Sequence, residues 1–220
     1  LSGLCSLVFL NQLNKLSISF PYIQEIISRL PSASRLWVAY SGGVDSSVLL
    51  NLLSSNREKL KLEIVAVHVN HQLSPVAENW VKHCKNICEK ENIRFETITI
   101  NAIKPKGHSQ EAYARTLRYA ALEKMMSKDD LLLTGHHKDD QAETLIQQLM
   151  RGAGPDGLAA MPAIRKFGQG WLVRPLLDFS RKQIKDYAEH HGIKWIEDES
   201  NQDTEIDRNY IRNNVIPCLQ

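Results

Sequence analysis

The sequence predicts an α/β domain with a parallel sheet covered by helices on both faces, followed by a short C-terminal helical extension. Three observations support this. Short apolar runs alternate with longer stretches of helical periodicity along most of the chain. The runs are almost continuously apolar, as strands buried on both faces must be. Polar, glycine-bearing turns stand where a strand hands over to a helix.

Leu36 to Tyr40 is the first apolar run, and it stops at Gly42-Gly43. Val48-Leu49-Leu50 with Leu52-Leu53 then resume at helical spacing, giving strand, tight turn, helix. The alternation recurs as Glu63 to Val69 (strand), Ala77 to Glu91 (helix), Arg94 to Ile100 (strand), Ser109 to Ser127 (helix), Leu131 to Thr134 (strand) and Asp139 to Arg151 (helix). Gly152-Ala153-Gly154-Pro155-Asp156-Gly157 cannot be helix interior. Ser180 caps a further helix running to about His191, which Gly192 ends. Asp207 to Asn214 reads as a last helical turn. The expected organisation is a leader and first helix over 1–30, the main domain over 31–200, and over 201–220 the start of a linker helix towards further domains.

In such sheets ligands sit beyond the carboxyl ends of the strands, which puts Ser41 to Ser47, His68 to Gln72 and Gly135 to Asp140 at one rim. The 27 Lys and Arg nearly balance the 25 Asp and Glu, so the net charge of +2 does not by itself demand a nucleic-acid partner. Cys5, Cys84, Cys88 and Cys218 form no disulfide framework, and a reducing, cytoplasmic setting is expected. No apolar run reaches the roughly 20 residues of a membrane span. Leu4 to Leu10 has no basic segment before it, and Leu4 spoils the spacing of a lipid-attachment box at Cys5, so residues 1–20 read as a dispensable leader.

Ser41-Gly42-Gly43-Val44-Asp45-Ser46-Ser47 carries the chemistry. At a strand-to-helix junction its backbone N–H groups can face an anion, and the helix dipole adds partial positive charge. The glycines allow close approach, the serines can donate to phosphate oxygens, and Asp45 can hold Mg²⁺. The turn contains neither GxxxxGK[ST] nor any lysine, which separates it from the commoner triphosphate loop.

His136, Asp140 and Glu143 are spaced to project from one face of a helix beginning near Asp139, where they can hold an ammonium group or a divalent metal. Arg115 lies four residues after Glu111 and three before Arg118. It is either half of a surface ion pair or a phosphate contact. His68 and His71 default to satisfied structural histidines, Cys84 and Cys88 to buried packing residues, and Trp37, Trp171 and Trp195 to packing.

The glycine turn resembles the signature of the PP-loop ATP pyrophosphatases, which split ATP between its α and β phosphates, and whose fold is that of the adenine nucleotide α-hydrolases. Between about Leu36 and Pro217 the chain further resembles the tRNA(Ile)-lysidine synthase family. The resemblance rests on His68-Val69-Asn70-His71, Glu111 to Arg115 with Arg118-Tyr119, Gly135 to Thr144, Arg151 to Leu158, Arg174-Pro175-Leu176-Leu177, Trp195 to Asn201 and Arg208 to Arg212.

What the resemblance implies is an ATP-dependent ligase acting on the wobble cytidine of tRNA(Ile) with a CAU anticodon. The cytidine O2 is adenylated with release of diphosphate, and the ε-amine of free L-lysine then displaces AMP. Ser41, Gly42, Gly43, Val44, Asp45 and Ser46 would bind ATP, with Mg²⁺ on Asp45. His136, Asp139, Asp140, Glu143, Arg208 and Arg212 would bind substrate, and Asp45, Arg115, His136, Asp140 and Glu143 would serve catalysis. A homodimer is compatible with the sequence. The rival readings are a tRNA thiolase of the same superfamily and a non-catalytic nucleotide-binding module. Against the thiolase stand the CxxxC spacing of Cys84 and Cys88, and Val44 where such thiolases tend to carry Lys. Against the module stand the intact His136, Asp140 and Glu143.

Overall fold

The computed structural model describes residues 17–72, 77–105, 109–155, 157–197 and 210–219. Helix α1 (Phe20–Ser28) leads into strand β1 (Arg35–Ala39). Helices α2 (Val44–Ser54) and α3 (Arg57–Leu60), strand β2 (Glu63–Asn70), helix α4 (Ala77–Lys90) and strand β3 (Arg94–Thr99) follow. Helix α5 (Gln110–Met125), strand β4 (Leu131–Leu133), helix α6 (Lys138–Met150), strands β5 (Ile164–Phe167) and β6 (Gly170–Val173) and helix α7 (Arg181–His190) complete the main body.

The six strands form one sheet in the order β3-β2-β1-β4-β6-β5. All pairings are parallel except β5 with β6. The parallel sheet expected from the sequence is thus present, with an antiparallel strand added at one edge. Ile164–Phe167 and Gly170–Val173 form a hairpin closed by a two-residue turn, with Gly168 at φ 53°. A side chain on Gly170 would meet the Asp130 carbonyl oxygen at 2.1 Å, so this strand can begin only with glycine.

Successive side chains of a strand point to opposite faces, and the core divides accordingly. Leu36, Val38, Leu131, Leu133 and Val173 face α1, α2 and α7, in a cluster with Ile23, Val48, Leu49, Leu53, Phe179 and Ile184. Trp37, Val65, Val67, Leu132 and Leu172 face α5, with Leu122, Met126 and Phe167. Leu131, Leu132 and Leu133 are fully buried, which is why this three-residue strand can sit mid-sheet. Trp37 adds a buried hydrogen bond from Nε1 to Asp130 Oδ2 at 3.0 Å.

The expectations for single residues fare unevenly. Cys84 and Cys88 are buried, as expected of packing residues. Residues 1–16 of the expected leader lie outside the described residues, while Ile18 and α1 pack on the core. The expected helix over 207–214 begins outside the described residues. From Ile211–Val215 it has π-helical hydrogen bonding, followed by a 3₁₀ turn, Ile216–Leu219. No described helix is long and apolar enough to cross a membrane.

Candidate active site

β1 is flanked by β2 on one side and β4 on the other, so the chain leaves these strands in opposite directions around the sheet. At such a switch point the carboxyl ends of neighbouring strands open a crevice. The turn after β1 and the turn after β4 meet there. A side chain on Gly135 would come within 3.0 Å of Asp45 C and Ser46 N, so glycine is what lets the two turns touch.

The first turn is built from its own short side chains. Ser46 Oγ donates to Gly43 O at 3.0 Å and lies 3.1 Å from Ser41 Oγ, and Ser47 Oγ donates to Gly42 O at 3.4 Å. Gly42 adopts φ 86°, and a Cβ there would stand 2.9 Å from Cys84 Sγ. Its carbonyl also accepts from Ile196 N at 2.9 Å. Gly43 is the N-cap of α2 and supplies no capping side chain. The N–H groups of Val44, Asp45 and Ser46 belong to the first helical turn, which has no carbonyls ahead of it, so this mouth is arranged to receive an anion.

Asp45 stands at that mouth. Its Oδ1 is buried without a hydrogen bond, and burial, the largest influence, raises its pKa, with His137 opposing and Asp140 adding to the rise. A half-buried carboxylate with one oxygen lacking a hydrogen bond, beside a helix mouth suited to an anion, is the donor set that suits a hard cation arriving with phosphate. Among the described residues no group of three His, Cys, Asp or Glu side chains forms a cage of its own. Mg²⁺ carried largely by phosphate and water needs no such cage.

The second turn is organised by His137, a residue that sequence reasoning passed over in favour of His136. His137 is the N-cap of α6. Its Nδ1 accepts from Asp140 N at 3.4 Å, and Asp140 Oδ2 accepts from His137 N at 2.9 Å. Its Nε2 lies 3.7 Å from Asp45 Oδ1 and 3.6 Å from Asp140 Oδ2, and its Nδ1 lies 3.6 Å from Asp139 Oδ2, so three carboxylates surround the ring. The legible signal was a polar residue three positions before an acidic one at a helix start.

The sequence-predicted cluster takes an uneven shape. His136 precedes the helix rather than riding on its face. Its Nδ1 is 2.8 Å from Thr134 Oγ1, and its pKa is pushed down to about 3, first by burial, with Arg174, Arg115 and Arg118 adding and Asp140 opposing. Asp139 Oδ2 accepts from Arg181 N at 2.8 Å, at the start of α7. Glu143 is fully buried and receives Arg212 on both oxygens, at 2.6 and 3.1 Å, while Arg212 also lies 3.8 Å from Asp140 Oδ1. Arg208 lies outside the described residues. No ion pair joins Glu111 to Arg115 among the described residues; Arg115 instead sits 5.0 Å over the Tyr119 ring. His68 is buried with Nδ1 2.9 Å from Tyr40 O, and His71 is pushed down to about 4, chiefly by burial.

The profile of the ATP-binding PP-loop domain family matches residues 15–219. The chain belongs to this family. The matched span contains both the Ser41–Ser47 turn and the Gly135–Asp140 turn. The chain is 43% identical over 196 residues to a protein of Coxiella burnetii called tRNA(Ile)-lysidine synthase, covering 89% of this chain and 44% of that one. A Pseudomonas putida protein of the same name is 47% identical over 190 residues, covering 86% and 44%. The chain therefore spans less than half the length of these curated relatives. Among solved structures, a U34-tRNA thiolase from Methanococcus maripaludis superposes with TM-score 0.67 at 16% identity, over 96% of this chain and 80% of that one. An NH3-dependent NAD synthetase from Campylobacter jejuni gives 0.54 at 16% identity, over 91% and 84%. At that identity these two share the fold.

Proposed function

We propose that this PP-loop domain is the catalytic part of a tRNA(Ile)-lysidine synthase. It would use ATP and free L-lysine to convert the wobble cytidine of a CAU anticodon to lysidine, in the cytoplasm. The carrying observation is the uncapped mouth of α2, with Asp45 Oδ1 beside it, buried without a hydrogen bond and 3.7 Å from His137 Nε2, which also lies 3.6 Å from Asp140 Oδ2. The names borne by relatives at 43–47% identity supply the substrate.

A pyrimidine carbonyl oxygen leaves poorly, so it is first made part of a phosphate ester. The cytidine O2 attacks the α phosphorus of ATP, the bond to the bridging oxygen breaks, and diphosphate departs. The lysine ε-amine then attacks C2, the C2–O2 bond breaks, and AMP leaves carrying that oxygen. The N–H groups of Val44, Asp45 and Ser46 hold the phosphates, and these preorganised donors stabilise the charge that builds there. Asp45 would hold Mg²⁺, which would supply positive charge to the departing diphosphate.

The amine must attack as the free base. With its pKa near 3, His136 stays neutral at pH 7 and acts as a hydrogen-bond partner, and the proton is assigned to Asp140. Asp139 and Glu143 serve differently. One caps α7 and the other anchors Arg212, and each thereby positions Asp140 from one side.

The test is to incubate the chain with ATP, lysine and an isoleucine tRNA bearing CAU, and to follow nucleotide products. Lysine-dependent AMP and diphosphate are expected. ADP and orthophosphate, or AMP formed without need of lysine, would reject the reading.

A further inference from the structure

On the face of the sheet opposite α2, a second polar feature reaches the same rim. Tyr119 of α5 packs edge-on against Phe167 of β5, with ring centroids 5.9 Å apart. Guanidinium carbons of Arg115 and Arg165 lie 5.0 and 5.9 Å from the centre of the Tyr119 ring, and that of Arg165 lies 5.1 Å from Phe167. Arg174, only 4% exposed, belongs to the same group. Its Nη1 donates to Pro162 O at 2.7 Å, and its guanidinium lies against the buried Tyr119 hydroxyl. The pKa of Arg174 is lowered, first by burial and further by the charges of Arg165 and Arg115, against which Tyr119 works.

Packing guanidiniums together in a half-buried place is unfavourable unless something negative joins them. Among the described residues, no carboxylate forms an ion pair with Arg115, Arg165 or Arg174. Cation–π contacts with Tyr119 and Phe167 orient the guanidiniums but do not neutralise them. The position is informative as well. Arg174 directly follows β6, Arg165 pairs with Leu172 near the end of that strand, and β6 adjoins β4, whose turn carries His136. The charges of Arg174 and Arg115 are felt at His136.

We propose that Arg115, Arg165 and Arg174, gathered on the Tyr119 ring beside His136, seat one phosphodiester of the RNA strand that carries the target base. This rests on the tRNA reading above. The triphosphate of ATP has its own seat at the mouth of α2 on the other face. A strand whose base is drawn into the crevice must be held by its backbone next to that base. Arg115 and Arg165, both half-buried, present the accessible donors, and Arg174 supplies positive potential from beneath.

The experiment measures binding of a CAU anticodon stem-loop RNA, and of the same hairpin with its anticodon replaced, to the full chain across a salt series. Arg165→Ala and Arg165→Lys are compared with the parent, and an ATP analogue is titrated in parallel. Arg165→Ala is expected to weaken both hairpins about tenfold and to reduce the slope of log affinity against log salt by about 1. Arg165→Lys is expected to keep the slope and lose part of the affinity, and binding of the ATP analogue is expected to move less than about twofold in either variant. If Arg165→Ala does not fold, a lysine variant indistinguishable from the parent in affinity would overturn the proposal. Unchanged affinity and slope in Arg165→Ala would remove this seat and leave the proposed function standing. Parallel loss of ATP-analogue binding would reassign the cluster to the nucleotide. Failure of the parent to bind either hairpin would overturn the seat and the tRNA reading together.

Discussion

At the scale of single residues the site is a set of groups held away from their preferred charge state. Burial disfavours ionised Asp45, so its folded pKa lies above its unfolded one. Its stability contribution is therefore fullest at low pH and is lost as pH rises through the folded value. Asp45→Asn removes that burden. It should raise the melting temperature of the unliganded chain near pH 8 by about 2–4 °C, for a gain of about 1 kcal/mol, while abolishing AMP formation. The melting-temperature gain should vanish in acid, and a variant no more stable than the parent at pH 8 would count against the buried charge. His136 has the opposite sign. Its folded pKa of about 3 lies below the roughly 6.5 of a free histidine, so stability is lost as pH falls from about 6.5 towards 3, with His71 contributing in the same direction. His136→Asn should flatten that acid limb in urea midpoints measured against pH, and an unchanged limb would place the titration elsewhere.

At the scale of elements, helix starts do the positioning. α6 begins on the His137–Asp140 capping box, and α7 begins on Ser180 with Gln183 and the added carboxylate of Asp139. Asp139→Ala should cost about 1 kcal/mol, whereas Asp139→Asn keeps an acceptor for Arg181 N and should retain most of it. Equal melting temperatures for the two would show that the carboxylate is there for charge rather than as a cap. Gly42→Ala meets two obstacles, a positive φ and Cys84 Sγ. Cys84→Ala should relieve only the second, so ATP-analogue binding should recover in part in the double variant. The strands and long helices were legible because their apolar runs are continuous or helically spaced. The Ser180–Gln183 start was legible because its serine and glutamine stand in capping-box register. The β5–β6 hairpin was not: four residues a side, with Arg165 and Lys166 in the middle of β5, leave no clear alternation, and only the Gly168-Gln169 turn marks it.

At the scale of the whole molecule, distant segments converge on one crevice. The Ser41–Ser47 turn and the turn after β4 could be placed there from strand order alone, since the rule for parallel sheets needs only the sequence of elements. The partners of Asp139, Glu143 and Gly42 could not, because Arg181, Arg212 and Ile196 reach them through tertiary packing that no local spacing encodes. Arg212 ties the C-terminal π-helical turn to α6. Arg212→Ala would remove both guanidinium hydrogen bonds to the fully buried Glu143 and should destabilise the chain by about 3 kcal/mol, read by urea denaturation. Adding Glu143→Gln should recover part of that loss, and a single variant as stable as the parent would show that Glu143 is satisfied otherwise. The hydrogen bond from Ile196 N to Gly42 O has a consequence during synthesis. The glycine turn is translated before its donor, so one of its carbonyls waits for Ile196. A nascent polypeptide still short of Ile196 holds the turn without that bond, and the turn takes its final shape only after that residue has been added.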